Sequence, residues 1–209
     1  GLSRWDRHAF SNFTMASTAG GLADDDIYAL LVRGNGELVI GNAQRGVTIC
    51  RLPDVRPCRT LRKGNGLAVD SVVGTGRHRE ANLWTGLDTA LSKPPSEKLQ
   101  SFDDRHGVPG PGAYALLPEK SGDVWTAGYG GLGRIRLAAP YAPPAVDRWD
   151  AERGLPSSEV LDVLRDRRGR LWVGTARGLC RFDEARGRCD AIYGEEQGLS
   201  GSYVLDLFE

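Results

Sequence analysis

The chain has 209 residues, and its 27 basic and 27 acidic side chains give a formal net charge of zero. Basic residues are scattered rather than gathered on one face, which excludes a nucleic-acid partner held through many phosphates. No apolar run approaches the ~20 residues that cross a bilayer, so we expect no membrane contact by this segment.

A repeat organises the chain. Gly-Leu or Gly-Val pairs recur at steps of 45, 41, 47 and 44 residues, beginning at Gly21, Gly66, Gly107, Gly154 and Gly198. A second landmark, Leu-Trp or a related pair, keeps the same phase. Each repeat reads as four short strands joined by glycine-containing turns. Four strands in about 44 residues is the size of one β-propeller blade.

The predicted units follow in chain order. A partial blade with third- and fourth-strand material comes first, then four complete blades, then a partial blade with one strand at Tyr203 to Phe208. Their approximate bounds are 1–20, 21–65, 66–106, 107–153, 154–197 and 198–209. We therefore predict an all-β fold, a single partial β-propeller domain of four-stranded antiparallel blades. Because the partial blades lack strands, we expect further blades elsewhere in a longer protein.

Aromatic residues recur on the second strand. Trp84, Trp125 and Trp172 occupy one position of the repeat, where a large ring would fill the space between neighbouring blades. Recurrence in several units favours packing over ligand binding, because one ligand cannot touch equivalent sites on all blades. Trp5 takes the place of Phe182 on a third strand, and we predict that it is buried too.

Four cysteines form two pairs, each flanking the turn from a third to a fourth strand. With Leu52 opposite Arg56, Cys50 would face Cys58, a register that suits a disulfide. The register of Cys180 and Cys189 fits less well. Four separate small hydrophobic residues remain the alternative. A disulfide would indicate an oxidising compartment.

Residues 128–133 match the pattern G-x-G-x-x-G. A dinucleotide site needs this loop to begin a helix, whereas residues 134–137 alternate as a strand does. The glycines also sit where other repeats have a turn between strands. We predict no dinucleotide site, no other cofactor and no metal.

Polar residues vary where the chain leads into each first strand, which in a propeller lines the central channel. Carboxylates and tyrosines converging on that rim could hydrogen-bond to a polar ligand and stack on it. The alternative is that these loops are polar because they meet water. The candidate ligand-binding residues are Asp25, Asp26, Tyr28, Asp70, Tyr114, Glu159, Asp162 and Tyr203.

Three phrases of the fourth complete repeat carry a family resemblance: GLPSSEV at 154–160, D-x-x-G-x-LWVGT at 166–175 and GL-x-RFD at 178–183. They resemble the two-component regulator propeller repeat. The resemblance implies the periplasmic part of a bacterial inner-membrane receptor, usually dimeric, whose output is a histidine kinase or diguanylate cyclase outside this chain. It also implies a sensor of a small molecule or saccharide, with no catalytic residues in the propeller.

Two other functions remain open at this point. The first is an enzyme on the same fold, a lyase or glycosidase, in which Asp26, Asp70 and Glu159 would supply acid and base groups. The second is a protein-docking scaffold with no small ligand.

Overall fold

The structure is a computed structural model that describes residues 1–33, 36–65, 67, 70, 72–77, 83–87, 90–93, 100–110, 113–138 and 143–209. Eighteen strands lie in these ranges. They are β1 (Leu2–Trp5), β2 (Phe10–Phe13), β3 (Ile27–Val32), β4 (Glu37–Asn42), β5 (Val47–Arg51), β6 (Cys58–Leu61), β7 (Val72–Arg77), β8 (Leu83–Leu87), β9 (Ala90–Lys93), β10 (Gln100–Asp103), β11 (Ala115–Pro118), β12 (Val124–Gly128), β13 (Gly131–Arg136), β14 (Ala145–Trp149), β15 (Val160–Arg165), β16 (Leu171–Thr175), β17 (Gly178–Asp183) and β18 (Arg188–Tyr193).

The strands form four-stranded sheets in simple chain order. The sheets are β3–β6, β7–β10, β11–β14 and β15–β18, and β1 pairs with β2 in a two-stranded sheet. The predicted all-β class and the four-stranded antiparallel sheets are confirmed. By its contacts the chain divides into two compact units, Gly1–Asp88 with Ser92–Ser101, and Thr89–Leu91 with Phe102–Glu209.

Each residue of the recurring Gly-Leu pair has its own structural role, as the pair at 154–155 shows. Gly154 has φ +93°, a left-handed conformation that ends the short 3-10 helix Ala151–Arg153, and the helix begins with the Asp150 side chain accepting from the amide of Arg153. Glycine adopts that conformation without the steric cost of a Cβ. The following Leu155 is only 5% exposed and joins the core of the second unit. The glycine thus ends the short helix, and the leucine that follows it packs into the core.

Neighbouring sheets within each unit pack through a small residue on the second strand of one sheet. In the first unit, Val72 of β7 lies against Gly41 of β4, where an added Cβ would come within 2.7 Å of the valine Cγ1. In the second unit, Ala127 of β12 and Val160 of β15 share one core cluster. The small residue lets the first strand of the next sheet approach closely.

The recurring tryptophans do not share one environment. Trp125 is fully buried, with its ring centroid 5.5 Å from that of Trp149 and 5.9 Å from that of Phe182 in the next sheet, so its predicted core role is confirmed. Trp172 is only partly buried and its ring packs on Tyr193 of its own sheet, 5.8 Å away. No sheet follows β15–β18 among the described residues, so the predicted packing of Trp172 between blades stays a prediction. The side chain of Trp84 lies outside the described residues.

Two predictions near the ends of the chain are wrong. Trp5 is 53% exposed, and its ring packs on Phe10 of the same two-stranded sheet, with centroids 4.8 Å apart, rather than inside a core. The segment from Tyr203 to Phe208 forms no strand. Its amide at Val204 bonds to the carbonyl oxygen of Thr175, at 3.0 Å, and this bond does not extend into a ladder.

Both cysteine pairs form disulfides. Cys50 lies directly opposite Cys58 in the β5–β6 ladder, the register expected from the sequence. Cys180 lies opposite Ile192, and Cys189 lies opposite Phe182. A register shift between Arg181 and Phe182 brings the second pair within reach, with a Cα–Cα distance of 5.6 Å. A bulge of this kind cannot be inferred from residue spacing alone.

Candidate functional site

The candidate residues of the first unit mainly shape loops. A carboxylate oxygen of Asp25 accepts from the amide of Met15 at 2.8 Å, and one of Asp70 accepts from the amide of Lys63 at 2.5 Å. Asp26 takes part through its backbone, whose carbonyl accepts from the amide of Ala43 at 3.1 Å. Tyr28 is 59% exposed on β3. No hydrogen bond or ion pair joins these four residues among the described contacts.

The second unit brings two tyrosines together. Tyr114 precedes β11, where its amide donates to the carbonyl oxygen of Ala127 at 2.8 Å. Tyr129 lies in the tight turn between β12 and β13. In an antiparallel sheet the start of the first strand and the turn after the second lie at the same end. The ring centroids are accordingly 5.0 Å apart, with planes inclined at 67°.

A carboxylate and a third phenol adjoin this pair. The hydroxyl of Tyr203 donates to Oε1 of Glu159 at 3.0 Å. Glu159 and Tyr203 are 44 residues apart, at the same position of successive repeats. The backbone of Glu159 is held on both sides, because its amide donates to Oγ of Ser157 and its carbonyl accepts from the amide of Ala176, at 3.1 and 3.0 Å. The carboxylate therefore projects from an ordered turn.

Tyr114 and Glu159 directly precede β11 and β15, whose Ala115 and Val160 pack in one core cluster, so the two pairs lie at the same end of neighbouring sheets. Burial raises the pKa of Tyr114, and the Tyr129 phenol and the negative charge of Glu159 raise it further. The hydrogen bond to Glu159 raises the pKa of Tyr203, with burial and the charge of the same carboxylate acting in the same direction. Both phenols therefore stay protonated at neutral pH and can donate hydrogen bonds. We call Tyr114, Tyr129, Glu159 and Tyr203 the tyrosine–glutamate cluster.

Asp162 lies deeper than the cluster. Its carboxylate accepts from the amides of Val163 and Leu207, at 2.8 and 2.7 Å. Burial raises its pKa, and the nearby Asp206 adds to that effect. Both hydrogen bonds go to backbone amides, and one of them ties down the segment after Tyr203. Asp162 thus holds backbone segments and bonds to none of the four cluster side chains among the described contacts.

Sequence reasoning missed Tyr129. The residue falls inside the G-x-G-x-x-G match at 128–133, a pattern that by itself points only to nucleotide binding. The signal that could have found it is its place in the turn between second and third strands, at the end of the sheet where the chain also leads into the first strand. In the described part of the chain, no three His, Cys, Asp or Glu side chains gather as a metal site. Among those same residues, no helix has the length and apolar character of a membrane span.

Comparison with solved structures identifies the fold. The extracellular domain of BT3049 from B. thetaiotaomicron, classed as a hybrid two-component system, matches with a TM-score of 0.69 and 18% identity over 87% of this chain and 24% of that one. PorZ, a surface component of the type IX secretion system of Porphyromonas gingivalis, matches with a TM-score of 0.68 and 15% identity over 88% of this chain and 29% of that one. Virginiamycin B lyase from Staphylococcus aureus matches with a TM-score of 0.64 and 15% identity over 84% of this chain and 58% of that one.

These similarities confirm the propeller fold. The chain spans about a quarter of the length of the BT3049 domain. No curated protein matches the sequence. Residues 154–177 match the family model described as "Two component regulator propeller". The segment that carried the resemblance in the sequence is therefore a two-component regulator propeller repeat, and that prediction is confirmed.

Proposed function

We propose that this chain is a ligand-sensing propeller segment in the extracytoplasmic part of a bacterial signalling receptor. The observation that carries the proposal is the tyrosine–glutamate cluster, which gathers three phenols and a carboxylate from separate loops at one end of the second unit. Tyr129 and Tyr203 are 53% and 54% exposed, so the cluster is accessible from solvent. Exposed aromatic rings combined with hydrogen-bonding groups are typical of small-ligand sites.

Two further observations support the extracytoplasmic location. Structural neighbours of the same fold include an extracellular domain and a bacterial surface component. The chain also contains two disulfides, which persist in oxidising compartments and are rare in the cytosol. Both point to a position outside the inner membrane.

Sensing requires more than binding. A ligand shifts a receptor between two arrangements only by the difference between its affinities for them. We propose that occupation of the cluster favours one arrangement of a receptor dimer, and that a kinase or cyclase outside this chain reads that arrangement. The protein segment itself binds and does not react with its ligand.

The experiment is a binding screen of the chain by thermal shift, followed by calorimetry, against saccharides, short peptides and small polar metabolites. A ligand of the cluster should raise the unfolding temperature of the wild type, and Tyr129→Leu and Glu159→Gln should weaken its binding. The matched control is Phe10→Leu, which replaces another exposed aromatic residue, 67% accessible, outside the cluster. A ligand whose affinity is the same in all four proteins would contradict the proposal. So would turnover of a ligand that Glu159→Gln abolishes, because that result would make the segment an enzyme.

A further inference from the structure

Glu159 keeps an uncompensated negative charge. Its Oε1 accepts the hydroxyl of Tyr203, and no Lys or Arg among the described residues forms an ion pair with either carboxylate oxygen. The nearest basic residue along the adjoining turn is Arg177, which follows the Ala176 amide bonded to the Glu159 carbonyl. Arg177 is exposed to solvent, which screens its charge. A ligand group placed at this carboxylate would meet negative potential.

The tyrosine pair supplies a second attraction for positive charge. The faces of aromatic rings are electron-rich, and cations bind within about 6 Å of a ring centroid. The centroids of Tyr114 and Tyr129 are 5.0 Å apart and their planes are inclined at 67°, so the edge of one ring meets the face of the other. A cation in the corner between the two rings can still lie within about 6 Å of both centroids.

A neutral sugar would use only one of the two ring faces and would gain nothing from the charge of Glu159. An organic ammonium group is roughly spherical and fits a corner, and it is attracted by both ring faces and by the carboxylate. Aromatic walls with a nearby negative charge are how proteins bind such cations.

We propose that the tyrosine–glutamate cluster binds an organic ammonium group, quaternary or primary. The inference rests on the proposed function and narrows its ligand class. Tyr114 and Tyr129 contact the cation with their faces, and Glu159 supplies the opposite charge. Tyr203 holds the carboxylate in place through its hydroxyl and does not need to touch the ligand.

The test titrates choline into the chain by calorimetry at low salt, and in parallel its neutral isostere 3,3-dimethylbutan-1-ol, which has the same shape without the charge. Choline should bind at about millimolar concentration and the isostere should not. Tyr129→Leu and Glu159→Gln should each weaken choline binding by about 2- to 5-fold, the range of an exposed cation–π contact or a surface charge pair. Tyr129→Phe should leave binding within about 2-fold, because the ring face is kept.

Arg177→Ala tests whether the ligand site attracts positive or negative charge, and Phe10→Leu is again the control. Removing a nearby positive charge should leave choline binding unchanged or tighten it. Glu159→Gln retains an oxygen for the Tyr203 hydroxyl, so loss of binding in that variant reports the charge rather than the fold. Thermal unfolding of each variant checks that it is folded.

Three outcomes would overturn the inference: equal binding of choline and the isostere, no effect of Tyr129→Leu and Glu159→Gln, or loss of binding in Arg177→Ala. The last would show that binding depends on a positive charge of the protein, which a site for cations cannot require. If choline fails but a neutral saccharide binds and depends on Tyr129, the inference fails while the proposed function stands. If cluster substitutions change the binding of neither choline, its isostere nor any compound of the screen, both the inference and the proposed function fail.

Discussion

We expect alanine to destabilise the protein more at Trp125 than at Trp172, and phenylalanine to destabilise it more at Trp172 than at Trp125. Trp125 is fully buried among Trp149 and Phe182. Replacing it by alanine should lower the free energy of unfolding by about 3–5 kcal/mol, the usual cost of removing a buried large aromatic ring. Trp172 is partly exposed and packs mainly on Tyr193. Its alanine variant should lose only about 1–2 kcal/mol.

Replacing each tryptophan by phenylalanine keeps an aromatic ring and removes the indole N–H, so it measures what that N–H contributes to stability. Nε1 of Trp125 is buried with no hydrogen-bond partner among the described residues, whereas Nε1 of Trp172 donates to Oδ2 of Asp166 at 2.9 Å. Removing an unsatisfied buried donor recovers about 1–3 kcal/mol, which offsets the loss of packing in Trp125→Phe to within about 1 kcal/mol of zero. Trp172→Phe has no such offset and loses a hydrogen bond, about 1 kcal/mol, together with part of its packing.

The assay is urea unfolding of the four variants and the wild type, followed by circular dichroism under oxidising conditions. The slope with denaturant should be similar in all five proteins, so that the midpoints can be compared as stabilities. Two results would refute the reasoning. One is an alanine variant of Trp172 as unstable as that of Trp125, and the other is a Trp125→Phe variant clearly less stable than Trp172→Phe.

Three further predictions use the same unfolding assay. Gly131 and Gly122 both have positive φ, but an added Cβ meets a carbonyl oxygen at 2.1 Å only at Gly131. Gly122→Ala should therefore cost about 1–2 kcal/mol of backbone strain, and Gly131→Ala clearly more; equal costs would contradict the steric argument. Burial alone would raise the pKa of Asp166, but indole and arginine donors outweigh it and lower that pKa. The unfolded chain then binds the proton more readily, so stability should fall as the pH drops below about 4, and Asp166→Asn should flatten this dependence in acid titrations. Cys180→Ser with Cys189→Ser opens a loop with a sequence separation of 9 residues and should cost about 2–3 kcal/mol, with the bridge itself checked by the mass of the unreduced chain; an unchanged midpoint would show that the disulfide adds no stability.

The strands could be predicted closely from the sequence because their signals are local. In the fourth complete repeat, short apolar runs between glycine-containing turns predict strands at 160–166, 170–175 and 178–183, and the structure has Val160–Arg165, Leu171–Thr175 and Gly178–Asp183. The glycines in turns are also required for local reasons, namely a positive φ or a close backbone atom. At Gly178, φ is +124° and an added Cβ would lie 2.7 Å from the carbonyl oxygen of Tyr193. Backbone conformation and side-chain alternation are decided within a few residues, so they can be inferred from a pattern.

The candidate site was predicted only in part. Tyr114, Glu159 and Tyr203 were expected on a binding rim, and the structure brings them together with Tyr129, which was not expected. The carboxylates at Asp25 and Asp70 bond to amides of their own loops. Their function as ligand-binding residues stays a prediction. A polar residue in a loop looks the same in sequence whether it faces a ligand or closes a turn.

The sequence by itself determined the repeat, the strand order and the small or glycine residues that each repeat needs, because these depend on short-range sterics that every copy must satisfy. Tertiary structure alone decided burial, as at Trp125, whose ring meets Phe182 of the neighbouring sheet. It also decided the disulfide between Cys180 and Cys189, through a register shift, and the contacts of Tyr129 with Tyr114 and of Tyr203 with Glu159. Burial, cross-strand register and the convergence of loops depend on what lies across space from a residue, and the same local sequence is compatible with several such neighbours.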